Sequence, residues 1–88
     1  MTTNKNISAD SIATAYSFFH QKQRVYEHST MEWQRDDIEY AVAQYVDDMN
    51  KDLYNMLACG REDFLMSHSQ FAADMKLALN QLEILLEK

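Results

Sequence analysis

In 88 residues the chain has no proline, a single glycine (Gly60), a single cysteine (Cys59) and a single tryptophan (Trp33). Proline and glycine are the residues that most readily break or cap regular backbone. Their near-absence argues against a fold built on tight turns and predicts long helices. One cysteine excludes an intrachain disulfide framework and suits a reducing compartment. One glycine cannot build a phosphate-cradling loop. No apolar run approaches the roughly 18 residues of a membrane span, and the N-terminal residues lack the apolar centre of a signal peptide. The expectation is a protein with no membrane segment, in the cytoplasm. Basic residues are scarce too: 8 Lys and Arg stand against 14 Asp and Glu, for a net charge of −6. That balance disfavours direct nucleic-acid binding through phosphate neutralisation.

What remains is helical. An apolar share of 47% in one short chain predicts a single folded domain over 1–88, with residues 1–8 fraying at the polar N-terminus. Ser8 and Asp10 are competent N-caps. Ile12, Ala15, Tyr16, Phe19 and Tyr26 then recur at helical spacing, predicting a first helix over 9–28. Ser29 to Glu32 reads as a capping box opening a long second helix over 30–59. Its stripe is Ile38, Ala41, Val42, Tyr45, Val46, Met49, Leu53, Met56 and Leu57, closed by Gly60 in the left-handed conformation. Phe64 and Leu65 are expected to tuck inward from a connector. Ser67 to Gln70 reads as a second capping box, opening a third helix over 68–87. The predicted fold is all-α: an antiparallel three-helix bundle with a long central helix.

Each helix also carries apolar residues off its main stripe. Phe18 and Val25 lie seven apart on the first helix, and Leu77 and Ile84 seven apart on the third. Trp33, Tyr40 and Tyr54 share the far side of the second, with Asp47 in the missing heptad position. These seven residues are the candidate interface. A monomer needs one stripe per helix, so a second seam predicts a homodimer or a protein partner.

Residue types that do chemistry are sparse. His20, His28 and His68 form no Glu-x-x-His pair within a helix, and one cysteine does not make a structural zinc site. Cys59 has no histidine near it in sequence, and reads as a small buried residue beside a helix end. His68 reads as a capping or packing residue. The pairs Asp36-Asp37 and Asp47-Asp48 point about 100° apart on a helix and read as solvated surface. No residue is therefore assigned a catalytic, cofactor or metal role. Net charge is +1 over residues 1–29, −5 over 30–59 and −2 over 60–88. Glu32, Asp36, Glu39 and Asp47 fall around the Trp33, Tyr40 and Tyr54 seam, an acidic aromatic face suited to a partner with a basic surface. The sequence thus predicts a small acidic interaction or regulatory protein. One alternative is an acidic nucleic-acid mimic that inhibits a nucleic-acid-binding protein. Another is a small enzyme or metal-binding bundle.

Overall fold

The structure, a computed structural model, describes residues 8–87. The fraying expected of the N-terminal residues falls, for residues 1–7, outside that range. Four helices succeed one another: α1 (Ala9–His28), α2 (Glu32–Asp48), α3 (Lys51–Ala58) and α4 (Phe71–Leu86). A short 3₁₀ turn, His68–Gln70, leads into α4. Among the described residues there is no strand, and no helix is long and apolar enough to cross a membrane.

The α1 boundaries follow the local chemistry. The Ser11 amide donates to Ser8 Oγ at 3.1 Å, which satisfies one of the exposed first-turn N–H groups. At the other end the expected capping box does not form. The Ser29 hydroxyl turns back to donate to the Val25 carbonyl at 2.7 Å, and Ser29 is buried in the corner. Gln34 takes over the α2 start, its Oε1 accepting from the Thr30 and Met31 amides.

The long second helix is in fact two. Backbone at Met49 and Asn50 is extended, and α3 begins at Lys51. Neither proline nor glycine makes this break. Asn50 Oδ1 accepts from the Leu53 amide at 3.1 Å, so a side chain replaces a helical bond. Lys51 Nζ reaches back to the carbonyls of Val46 and Asp47, the orphan acceptors at the α2 end. Charge favours the same break. Asp47 and Asp48 oppose the negative end of α2, whereas Asp52 sits well at the positive start of α3.

Helix α3 closes as expected with Gly60 at positive φ (88°), but Cys59 is left-handed as well, at 52°. A Cβ on Gly60 would meet nothing, so it is the backbone conformation, not space, that suits glycine there. Cys59 is exposed rather than buried, because the left-handed cap swings it off the apolar face.

Helices α1 and α4 run antiparallel, with Tyr16 beside Glu83 and Tyr26 beside Phe71. Helix α2 runs back along α1, with Phe18 stacked on Tyr45 and Tyr26 bonded to Glu39. One core joins Ala15 and Phe19 of α1, Ile38, Val42 and Val46 of α2, Leu53 and Leu57 of α3, and Phe71, Met75, Ala78 and Leu82 of α4. Phe64 and Leu65 tuck in from the connector as expected. Met56, placed on the core stripe by spacing, is exposed, since the break before α3 rotates its register.

The second capping box is also corrected. Ser67 Oγ pairs with Ser69 Oγ at 3.3 Å and makes no cap to the backbone, so residues 68–70 wind as 3₁₀ and the α-helix starts at Phe71.

Candidate interaction surface

Helix α2 presents its apolar side, Ile38, Val42 and Val46, to the core. At 100° per residue, Trp33 and Tyr40 then fall on the opposite side, one above the other. They are 59% and 67% exposed. Such exposure is high for side chains that usually bury most of their surface. By the same spacing Asp37 and Asp47, both exposed, share this side, whereas the Asp36 carboxylate turns toward Glu39 and His68. The Tyr40 hydroxyl accepts from Gln44 Nε2 at 2.8 Å, one turn along, which holds the ring against the helix surface.

The other candidate residues divide. Val25 (55%), Leu77 (39%) and Ile84 (55%) are exposed. Phe18 and Tyr54 have partners inside the chain. Phe18 stacks on Tyr45 at a centroid distance of 4.0 Å. The Tyr54 hydroxyl donates to the Phe64 carbonyl at 2.7 Å, and its ring packs against the core. The break at Met49 and Asn50 is what takes Tyr54 out of register with Trp33 and Tyr40.

Glu39 leaves the outer acidic side as well. Its Oε2 lies 2.8 Å from His68 Nδ1 and accepts from the Tyr26 hydroxyl at 3.2 Å. Three segments of chain are tied together there: α1, α2 and the turn before α4. Burial first, and the Glu39 carboxylate second, push the Tyr26 phenol up, so it stays protonated and donates. The hydrogen bond to Glu39, followed by its charge, raises the exposed His68 imidazole above its ordinary 6.5. A raised folded value means the pair supports the fold fully below about pH 6.5, and that support is lost as pH rises through the raised value. In an NMR titration, Glu39→Gln is expected to bring the His68 midpoint back toward 6.5. An unmoved midpoint would show that Glu39 is not the cause.

The ligating atoms of Asp36, Glu39 and His68 lie within 4.8 Å of one another. This is the one grouping among the described residues that could serve a cation, since zinc accepts imidazole and carboxylate ligands. A search for Glu-x-x-His pairs inside one helix misses it, because His68 comes from a turn 29 residues beyond Glu39. Beside it lies an open cavity of about 400 Å³ lined by Gln23, Tyr26, Glu27, Arg35, His68 and Lys76. Cys59 is elsewhere, with its Sγ next to Gln81 Nε2 at 3.3 Å. His20 stacks on Tyr16, one turn away on α1.

Sequence spacing alone does not single out Arg61 and Asp74. Asp74 is 1% exposed, on the apolar side of α4 between Phe71 and Met75. Arg61 grips it with two guanidinium nitrogens, at 2.6 and 3.2 Å, and the Leu65 amide donates to it at 2.9 Å. The signal was present: a carboxylate on a core stripe needs a partner. Comparison with known families, curated proteins and solved structures gives no match to this chain.

Proposed function

We propose that this chain is a small acidic interaction protein, non-catalytic, whose outward α2 face receives a basic surface of a protein partner. The observation that carries this reading is the exposed pair Trp33 and Tyr40 on a helix side shared with the exposed Asp37 and Asp47. Arginine or lysine side chains meet such a face twice over, pairing with the carboxylates and lying on the aromatic rings. Tryptophan and tyrosine supply large, stiff contact area and dominate many interface cores. A second copy of the same face suits it badly, because the aspartates would be brought against each other. The exposed thiol of Cys59 suits a reducing compartment such as the cytoplasm.

Trp33 is the only tryptophan, so fluorescence reports on this face alone. Titration with an arginine- and leucine-rich helical peptide is expected to shift its emission to the blue, less so as salt is raised. Trp33→Ala is expected to weaken binding by about 2 kcal/mol, roughly 30-fold, read by calorimetry. The nucleic-acid-mimic alternative rests on carboxylates only. It expects Trp33→Ala and Tyr40→Ala to bind as well as the wild type, with Asp37→Asn and Asp47→Asn carrying the loss.

A further inference from the structure

We infer that the outer face of α4 is a self-association seam, on which a second copy of this chain lays its own α4 antiparallel across a two-fold axis. Ala73, Leu77, Asn80 and Ile84 follow one another at intervals of four, three and four residues, the spacing of a heptad seam. All four are exposed, on a side of α4 turned away from Phe71, Met75, Ala78 and Leu82. None carries charge, in a chain of which 25% is charged. The seam is bordered on one side by α1, through Tyr16 and Glu83, and on the other by the end of α3, through Cys59 and Gln81.

The occupant follows from complementarity. In an antiparallel pair, Ile84 of one copy packs on Ala73 of the other, and Leu77 on Asn80, so large residues meet small or slender ones. Lys76 and Glu83, both exposed, stand on the same flank of the seam. The two-fold axis sets Lys76 of each copy near Glu83 of the other, giving two ion pairs. A parallel pair would instead set Lys76 opposite Gln81. Within the chain neither charge is tightly held: Lys76 Nζ is 4.0 Å from Glu27, and the Tyr16 hydroxyl is 3.4 Å from Glu83. Asn80, set against a leucine, costs affinity. Four layers make a short interface, so dissociation in the micromolar range is expected. This seam is separate from the α2 face, and each can be removed without touching the other.

Sedimentation equilibrium tests the inference. The wild type is expected to pass from one-chain to two-chain mass across the micromolar range. Leu77→Glu with Ile84→Glu should stay at one-chain mass with unchanged helical circular dichroism. Lys76→Glu or Glu83→Lys alone should each weaken association about tenfold, since two attractions become two repulsions. The double exchange Lys76→Glu with Glu83→Lys should restore it, a rescue that a fold defect does not produce. A wild type of one-chain mass at every concentration, or a dimer that survives the glutamates, overturns the seam. Failure of the double exchange to restore association overturns the antiparallel register.

Discussion

Phe19→Ala is expected to cost about 4 kcal/mol, within the range of large-to-small changes at fully buried aromatic sites. Phe19 is fully buried, and its ring meets Phe18 and Tyr45 edge-on at 5.4 and 5.7 Å. Truncation removes the transfer free energy of the ring and leaves a hole between α1 and α2. Those helices close poorly around it, because the stack of Phe18 on Tyr45 holds their spacing. A chain of this length has roughly 4 to 13 kcal/mol of net stability. The variant is therefore expected near the edge of folding, its melting midpoint lowered on the order of 20 °C. Phe19→Leu should recover about half. Urea unfolding followed by circular dichroism measures both, and a loss below about 1 kcal/mol for alanine would show that the core at Phe19 is not close-packed.

Asp74→Ala is expected to cost about 3 kcal/mol, most of it from the interior side of the carboxylate. Two kinds of bond go at once. Arg61 loses its two-pronged partner, and the buried Leu65 amide loses its acceptor. Arg61 is 36% exposed at its side chain, so water takes up its charge and tempers the loss. The amide has no such recourse. Leu65 also holds a left-handed φ of 64°, a costly conformation for a branched side chain. Burial of the leucine and that hydrogen bond help sustain its turn, beside the Met66 amide donating to the Asp63 carbonyl and the Tyr54 hydroxyl donating to the Phe64 carbonyl. Arg61→Ala leaves the carboxylate buried and uncompensated, and should be non-additive with Asp74→Ala in a double-mutant cycle. Additivity would mean that the two side chains do not act as one unit. Loss of this clamp should loosen the connector before the α1–α4 packing, and hydrogen exchange at residues 61–66 would show it first.

The clamp also bears on the proposed seam of α4. Asp74 lies on α4 a few residues from Lys76 and Leu77, and it fastens α4 to the chain that returns from α3. Arg61 therefore helps fix the helix on which that seam is proposed. The α2 face depends on other contacts: Phe18 against Tyr45 and Tyr26 against Glu39 hold α2 along α1. Two faces of different chemistry thus rest on two separate sets of internal bonds.

How much of this was legible in the chain varies with the range of the interaction. The all-α class follows from missing prolines and glycines and from apolar spacing, both local. The Ser8 cap and the left-handed Gly60 are also local, and both occur where expected. The break at Met49 and Asn50 is local in cause yet was hidden by the unbroken stripe, because asparagine interrupts a helix more quietly than proline does. Asp47, Asp48, Asn50 and Asp52 together were its signal. Tertiary packing alone decided which off-stripe residues stay exposed. Phe18 and Tyr54 found partners within the chain, whereas Trp33, Tyr40, Leu77 and Ile84 did not bury themselves.

By itself the sequence determined the helical class, the acidic charge and the periodic placement of apolar residues, since each depends on neighbours within a turn or two. Only the tertiary structure decided that Arg61 closes on Asp74, that His68 meets Glu39, and that the aromatic face of α2 and the neutral face of α4 are different surfaces. Those outcomes join residues 13 and 29 positions apart. Helical periodicity does not carry that far: it tells which side of a helix a residue is on, and the packing of the other helices decides what that side meets.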